Sequence, residues 1–275
     1  MELRNGITHA GAIKAIQACC NSSTTLQHHE HHVARSRYLR WVDETDRQLR
    51  NIFVDSTQSE ALYTVRYWYL AEGRDLILPS GHVDWGPLVR EQEVQVERLW
   101  ELTARMKALS ERVEGPGAIN VLDANAYIEA TMFDQVDWRT ELGEEQVRLV
   151  LPYAVLVELD EKKHDRNERV SRRAYKVVRA LDQYIPQLAK GGRAEIRARV
   201  TIELLPEERG HRRAPITDQE IVDQAVLLSQ YSGRPVQIIT DDRHMRLRAL
   251  SYGLDVWPIP DRLLLERNRP KPDGS

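Results

Sequence analysis

The sequence predicts an α/β fold built on a parallel sheet in its second half, behind a mainly α-helical first half. Three observations carry that reading. Beyond residue 117, short apolar runs alternate with stretches of helical spacing, the pattern of parallel β-α units. Two of those runs, Ile119–Leu122 and Val236–Ile239, are each followed by acids: Asp123 in VLDANAYI, and Asp241 and Asp242 in TDDR. Before residue 114 the apolar residues recur instead every three or four positions, until Gly115-Pro116-Gly117 stops the pattern.

In chain order, the polar run Asn21–Thr25 comes first and HHEHH at 28–32 follows it. His28 and His32 are four apart and suit one helix face, but no third ligand accompanies them, so the segment is read as a solvated helix start. Val33–Val54 and Ser59–Leu70 have helical spacing. The second is rich in aromatics (Tyr63, Tyr67, Trp68, Tyr69), which read as core or as a partner interface. Glu91–Val113 is a helix with Val94, Leu99, Leu102, Met106, Leu109 and Val113 on one face, widened by Trp100.

After the glycine–proline hinge, strand 119–122 leads through Asp123 into a helix starting near Ala124. Strand Val147–Leu151 meets Pro152, which suits the first turn of helix Tyr153–Lys163. A long basic helix is expected from about Asn167 to Leu188, broken at Pro186, then a strand at Ala198–Leu205 and a charged loop at Pro206–Pro215. TDQE at 217–220 has the form of a capping box, Thr217 capping and Glu220 answering. Val236–Thr240 and Leu254–Trp257 are the last strands. The predicted divisions are a helical domain at 1–114, an α/β domain at 118–262 and an unstructured tail at 263–275.

At 275 residues, 41% hydrophobic and 29% charged, the chain has enough apolar content for a core and a well-solvated surface. A net charge of -3 gives no global sign of nucleic-acid binding. The two cysteines, Cys19 and Cys20, are adjacent and cannot staple a fold in the ordinary way, and their scarcity suits a reducing compartment. No run reaches the roughly 18 apolar residues of a membrane span, and residues 1–20 lack a secretory apolar core. The expectation is a cytoplasmic protein with no membrane partner.

Four segments carry acids at chemically suggestive places: Asp123, Glu158, Asp218 and the Asp241/Asp242 pair. Asp123 and Asp242 also suit helix caps, and Asp218 suits the dipole of a helix start. Glu158, between Val157 and Leu159, is costly to bury unless paired or metal-bound. Taken together they point to carboxylates converging on a divalent metal. Carboxylates packed this way repel, and oxygen-only ligation suits Mg²⁺ or Mn²⁺.

The segments VLDANAYI, LPYAVLVELDEKK, ITDQEIVDQAVLL and VQIITDDRHMRLRALSYGLDVWPIP, in this order, resemble the PIN-domain ribonucleases. The last looks most like PIN domains of the nonsense-mediated-decay endonuclease and PhoH-associated kind. The resemblance covers about 118–262. It implies a three-layer α/β/α fold with acids at the carboxyl edge of the sheet. It also implies hydrolysis of RNA phosphodiesters to 5′-phosphate and 3′-hydroxyl ends. By this likeness Asp123, Glu158, Asp218 and Asp242 fill the four acidic positions, while Asp241 stands where asparagine is common. The fourth position is therefore open between Asp241 and Asp242. Asn125 matches a frequent polar position beside the first acid, and the Thr240 hydroxyl orients the site. Asp123 and Asp242 are expected as metal ligands, Asp218 as a ligand or base, and Glu158 as the holder of a water.

Between Lys162 and Arg213 there are 15 lysines and arginines against 7 acids, an excess of eight positive charges within a chain of -3. Lys162, Lys163, Arg166, Arg172, Arg173, Arg212 and Arg213, with Arg243, Arg246 and Arg248 near Asp242, are the candidate contacts to single-stranded RNA. The alternative for this block is a solvated face with pairs such as Glu168–Arg172. The functional expectation is a metal-dependent endoribonuclease. Its rivals are a non-catalytic RNA-binding or scaffolding PIN-fold protein and a toxin of a toxin–antitoxin pair. The helical half is expected to serve self-association, substrate selection or recruitment of a protein partner.

Overall fold

The computed structural model describes residues 2–4, 6–23, 31–73, 80, 84–205, 207, 211 and 213–265, the side chains of 31 and 32 excepted. His28 and most of the HHEHH segment therefore lie outside the described residues. The chain divides into two units, Met1–Val113 with Gln230–Gly233, and Glu114–Ser229 with Arg234–Ser275.

The first unit is helical: α1 (His9–Ser22), α2 (His31–Ile52), α3 (Thr57–Glu60), α4 (Val65–Ala71) and α5 (Gly86–Val113). Sequence spacing gave no helix at α1, because its apolar residues are mostly small, alanines and cysteines with only two isoleucines. The structure explains them: Thr8 caps the helix by accepting from Gly11 N, and Ala12, Ile16, Cys19 and Cys20 form its buried stripe. That stripe joins Tyr38, Trp41, Val42 and Leu49 of α2 and Leu99, Leu102 and Met106 of α5 in one core. The core also contains a charge. Glu91 of α5 is 1% exposed and accepts from Thr64 Oγ1 at 2.6 Å, Gln95 Nε2 at 3.0 Å and Arg66 Nη1 at 3.2 Å. A buried carboxylate needs such partners, and those from Thr64 and Arg66 tie the α4 entry to α5.

The second unit is α/β: β1 (Ala118–Leu122), α6 (Ala124–Glu129), α7 (Trp138–Leu142), β2 (Val147–Leu151), α8 (Tyr153–Lys162), α9 (Glu168–Asp182), α10 (Ile185–Gly191), β3 (Arg193–Arg197), β4 (Val200–Leu204), α11 (Thr217–Ser232), β5 (Val236–Ile239), α12 (Arg243–Ser251) and β6 (Asp255–Trp257). The sheet runs β3-β4-β2-β1-β5-β6. Every neighbouring pair is parallel except β3–β4. The central strands are buried, β2 at every position, as expected of a parallel sheet covered by helices. Gly117 opens β1 at φ +107°, where an added Cβ would sit 3.1 Å from the Gln146 carbonyl oxygen.

Two expectations need correction, while the break expected at Pro186 in the long basic helix is present: proline cannot donate and its ring clashes with the carbonyl four residues earlier. For Pro186 that residue is Asp182, where α9 ends. The strand at 198–205 is the second arm of an antiparallel hairpin, whose first arm, β3, was hidden in the charged stretch RAEIR. Arg199 makes the reversal at φ 63°. Residues 263–265 are not tail: Leu264 bridges Ala130, Thr131 N donates to Leu263 O at 2.8 Å, and Leu265 N donates to Glu129 O at 3.1 Å. Residues 266–275 lie outside the described residues.

Candidate active site

Strand order places the site. From β1 the chain builds outward through β2 to β4 and β3, then returns to lay β5 on the other side of β1. The reversal between β1 and β5 is the switch point of the sheet, and open α/β sheets bind ligands in the crevice outside the carboxyl ends of such strands. Leu122 pairs with Ile239, so the next residues, Asp123 and Thr240, emerge side by side.

Asp123 is 3% exposed and Thr240 0%. One Asp123 oxygen accepts from Ala126 N, capping α6, and the other accepts from the Thr240 hydroxyl. The Thr240 oxygen accepts in turn from Asp242 N at 3.0 Å, and Asp242 Oδ1 caps α12 through Met245 N at 2.8 Å. The two aspartates are thus joined through one hydroxyl.

Burial pushes the Asp123 carboxyl up to about 7; bonds from Thr240 and Ala126 oppose this, and the charges of Glu158 and Asp218 add to it. Glu158 is raised, first by burial, against the pull of Lys162 and with a push from Asp218. Lys162 Nζ lies 3.3 Å from Glu158 Oε1. Asp218, in the first turn of α11, is raised by burial and then by Asp242, while Lys162, Arg248 and His244 lower it. The structure therefore brings Asp123, Glu158, Asp218 and Asp242 into one electrostatic neighbourhood. The donor set is all oxygen, and four carboxylates face few cations, so the residues present fit a hard divalent ion.

Asp241 is exposed. Its Oδ1 accepts from Ile259 N at 3.0 Å, fastening the chain beyond β6. Asn125 is exposed on α6. Glu220 does not close a capping box. Its own N–H bonds Ile216 O, so α11 begins one residue earlier than the box requires. Its carboxylate instead accepts from Ala214 N at 2.7 Å, His211 Nε2 at 2.7 Å and Gln224. Glu207, His211 and Glu220 bring one ligand-type atom each within 4.8 Å of one another. Arg213 occupies Glu207 at 3.0 Å, so the cluster is a hydrogen-bonded latch that fastens His211 and Ala214 to α11. Neither the latch nor the Glu91 network has a short-range sequence pattern.

Several predicted RNA contacts have protein partners. Lys163 pairs with Asp160 and Arg172 with Glu168. Arg173 donates to Ile128 O at 3.3 Å, and Arg213 also lies 4.7 Å from the centroid of the Tyr153 ring. Arg166 and Arg243 are exposed and enter no ion pair among the described residues, while Arg246 and Arg248 are half-buried on α12. Arg212 lies outside the described residues.

The family model described as PIN domain matches residues 120–259, just over half of the chain. The chain belongs to the PIN-domain family, a family of nuclease folds whose members are typically nucleases that use divalent metals. No curated protein matches it. Among solved structures it is similar to "A domain of a functionally unknown protein from Methanocaldococcus jannaschii DSM 2661". That likeness has 15% identity, a TM-score of 0.34, and covers 52% of this chain and 92% of that one. No helix among the described residues is long and apolar enough to cross a membrane.

Proposed function

We propose that the protein is a metal-dependent endoribonuclease that cuts single-stranded RNA at the crevice between β1 and β5. The observation that carries this reading is Asp123: a buried carboxylate at the end of the central strand, crowded by Glu158 and Asp218 and braced by Thr240. In this reading Asp123 and Asp242 hold a Mg²⁺ or Mn²⁺ ion. When bound, the ion supplies Lewis acidity at the scissile phosphate and makes a water nucleophilic at neutral pH. Glu158 orients the attacking water, and Asp218 adds a ligand or accepts the proton. Thr240 fixes the Asp123 carboxylate. Arg166, between Glu158 and Asp218 in sequence, and Arg243, next to Asp242, are exposed and are the strongest remaining candidates for phosphate contact. The helical unit serves substrate selection, self-association or recruitment of a protein partner.

The test is cleavage of end-labelled single-stranded RNA with Mn²⁺, with Mg²⁺ and with EDTA, alongside Asp123→Asn and Asp242→Asn. Product that needs the metal and falls by about 10²-fold or more in both variants is the expected result. RNA retained without product under every condition would favour the non-catalytic rival.

A further inference from the structure

Glu158 and Lys162 are one helical turn apart on α8, an ordinary spacing for a helix ion pair. Their surroundings are not ordinary. The Arg172–Glu168 pair on α9 has side chains 75% and 82% exposed, whereas Lys162 and Glu158 are 26% and 20% exposed. Lys162 also acts on two carboxylates from different elements. It lies 3.3 Å from Glu158, and its charge is felt by Asp218 at the start of α11. The opposite side of the cluster is built differently: Asp123 and Asp242 are joined through the Thr240 hydroxyl, and neither enters an ion pair among the described residues. The cluster is thus divided into a side without an ammonium, Asp123 and Asp242, and a side that already holds one, Glu158 and Asp218.

We propose that Lys162 stands in for a second divalent ion, so that the carboxylate cluster takes a single metal ion on its Asp123–Asp242 side. The inference rests on the metal-dependent reading above. A dication between Glu158 and Asp218 would have to displace the ammonium or sit beside it, and like charges at such distances repel strongly in a partly desolvated site. Lys162 is in this view a positioning residue, which keeps Glu158 in place and charged without recruiting metal.

The experiment counts Mn²⁺ bound by the full-length protein, from the loss of the free-ion electron paramagnetic resonance signal. One ion is expected for the parent and for Lys162→Arg, which keeps the charge. Two are expected for Lys162→Met, and one again when Glu158→Gln is added to it. Circular dichroism of each variant checks that it is folded. Two ions in the parent, or one in a folded Lys162→Met protein, would overturn the proposal. A parent that binds none would instead remove the metal-dependent reading on which it rests.

Discussion

Thr240 holds two aspartates with one hydroxyl, giving its proton to Asp123 and accepting the Asp242 N–H. Residues that orient a metal ligand typically change affinity or activity by about 10–100-fold when altered. Thr240→Val should therefore weaken Mn²⁺ binding by roughly that factor while Thr240→Ser retains most of it, as read by a metal titration of the two proteins. Asp123 gives a second prediction. Its carboxyl titrates near 7 in the folded chain, against about 4 in an unfolded one. Between those values the native state holds a proton that the unfolded state has released. This group's contribution is therefore full below about pH 4 and lost as pH rises to about 7. In the presence of a chelator, the melting temperature should decline over the upper part of that window, and Asp123→Asn should remove that part of the slope. An unchanged slope in the variant would contradict the assignment. In the sequence Asp123 and Asp242 were legible as acids at strand ends, because apolar runs mark the strands. The different surroundings of Asp241 and Asp242 were not, since adjacent carboxylates look alike until one accepts from Ile259 N, 18 residues away, and the other caps α12.

At the scale of elements, β2 carries a charge where its neighbours are apolar. Arg148 is 2% exposed and makes a two-pronged contact with Glu203 of β4, at 2.8 and 2.7 Å. Arg193 of β3 also reaches Glu203 at 3.2 Å, so the pair stitches three strands. Glu203→Gln would leave the Arg148 guanidinium buried without its anion and should destabilise the unit by about 3–5 kcal/mol. Arg148→Met should lose less, because Arg193 still pairs with Glu203. Urea unfolding of the two variants checks the order. The strands that apolar runs announce, β1, β2 and β5, were visible in the sequence, as were the helices that follow them. The β3 arm was not: its pairing is set by β4 and an edge strand tolerates charge, so RAEIR carries little apolar pattern. Helix α1 was missed for a related reason, its buried stripe being partly alanine and cysteine.

The two units are not colinear with the chain, because Gln230–Gly233 group with the helical one. Gln230 brackets Leu3, accepting from its N–H at 3.0 Å and donating to its carbonyl at 2.9 Å, and Tyr231 stands edge-on to His9 at 5.2 Å. A protein cut to residues 114–275 would lose these partners together. It should melt at a lower temperature than the same unit in the full chain, as scanning calorimetry of both would show.

The order of the sheet also sets when the site can exist. Asp123 and the Thr240 that braces it are 117 residues apart, and they meet only once β5 has been laid against β1. A chain still being synthesised, with Asp123, Glu158 and Asp218 already made but β5 not yet emerged, has three of the four acids and no crevice. Laying β5 on β1 thus acts as a safety catch: the acids made first have no braced site until the strand that leads to Thr240 is in place.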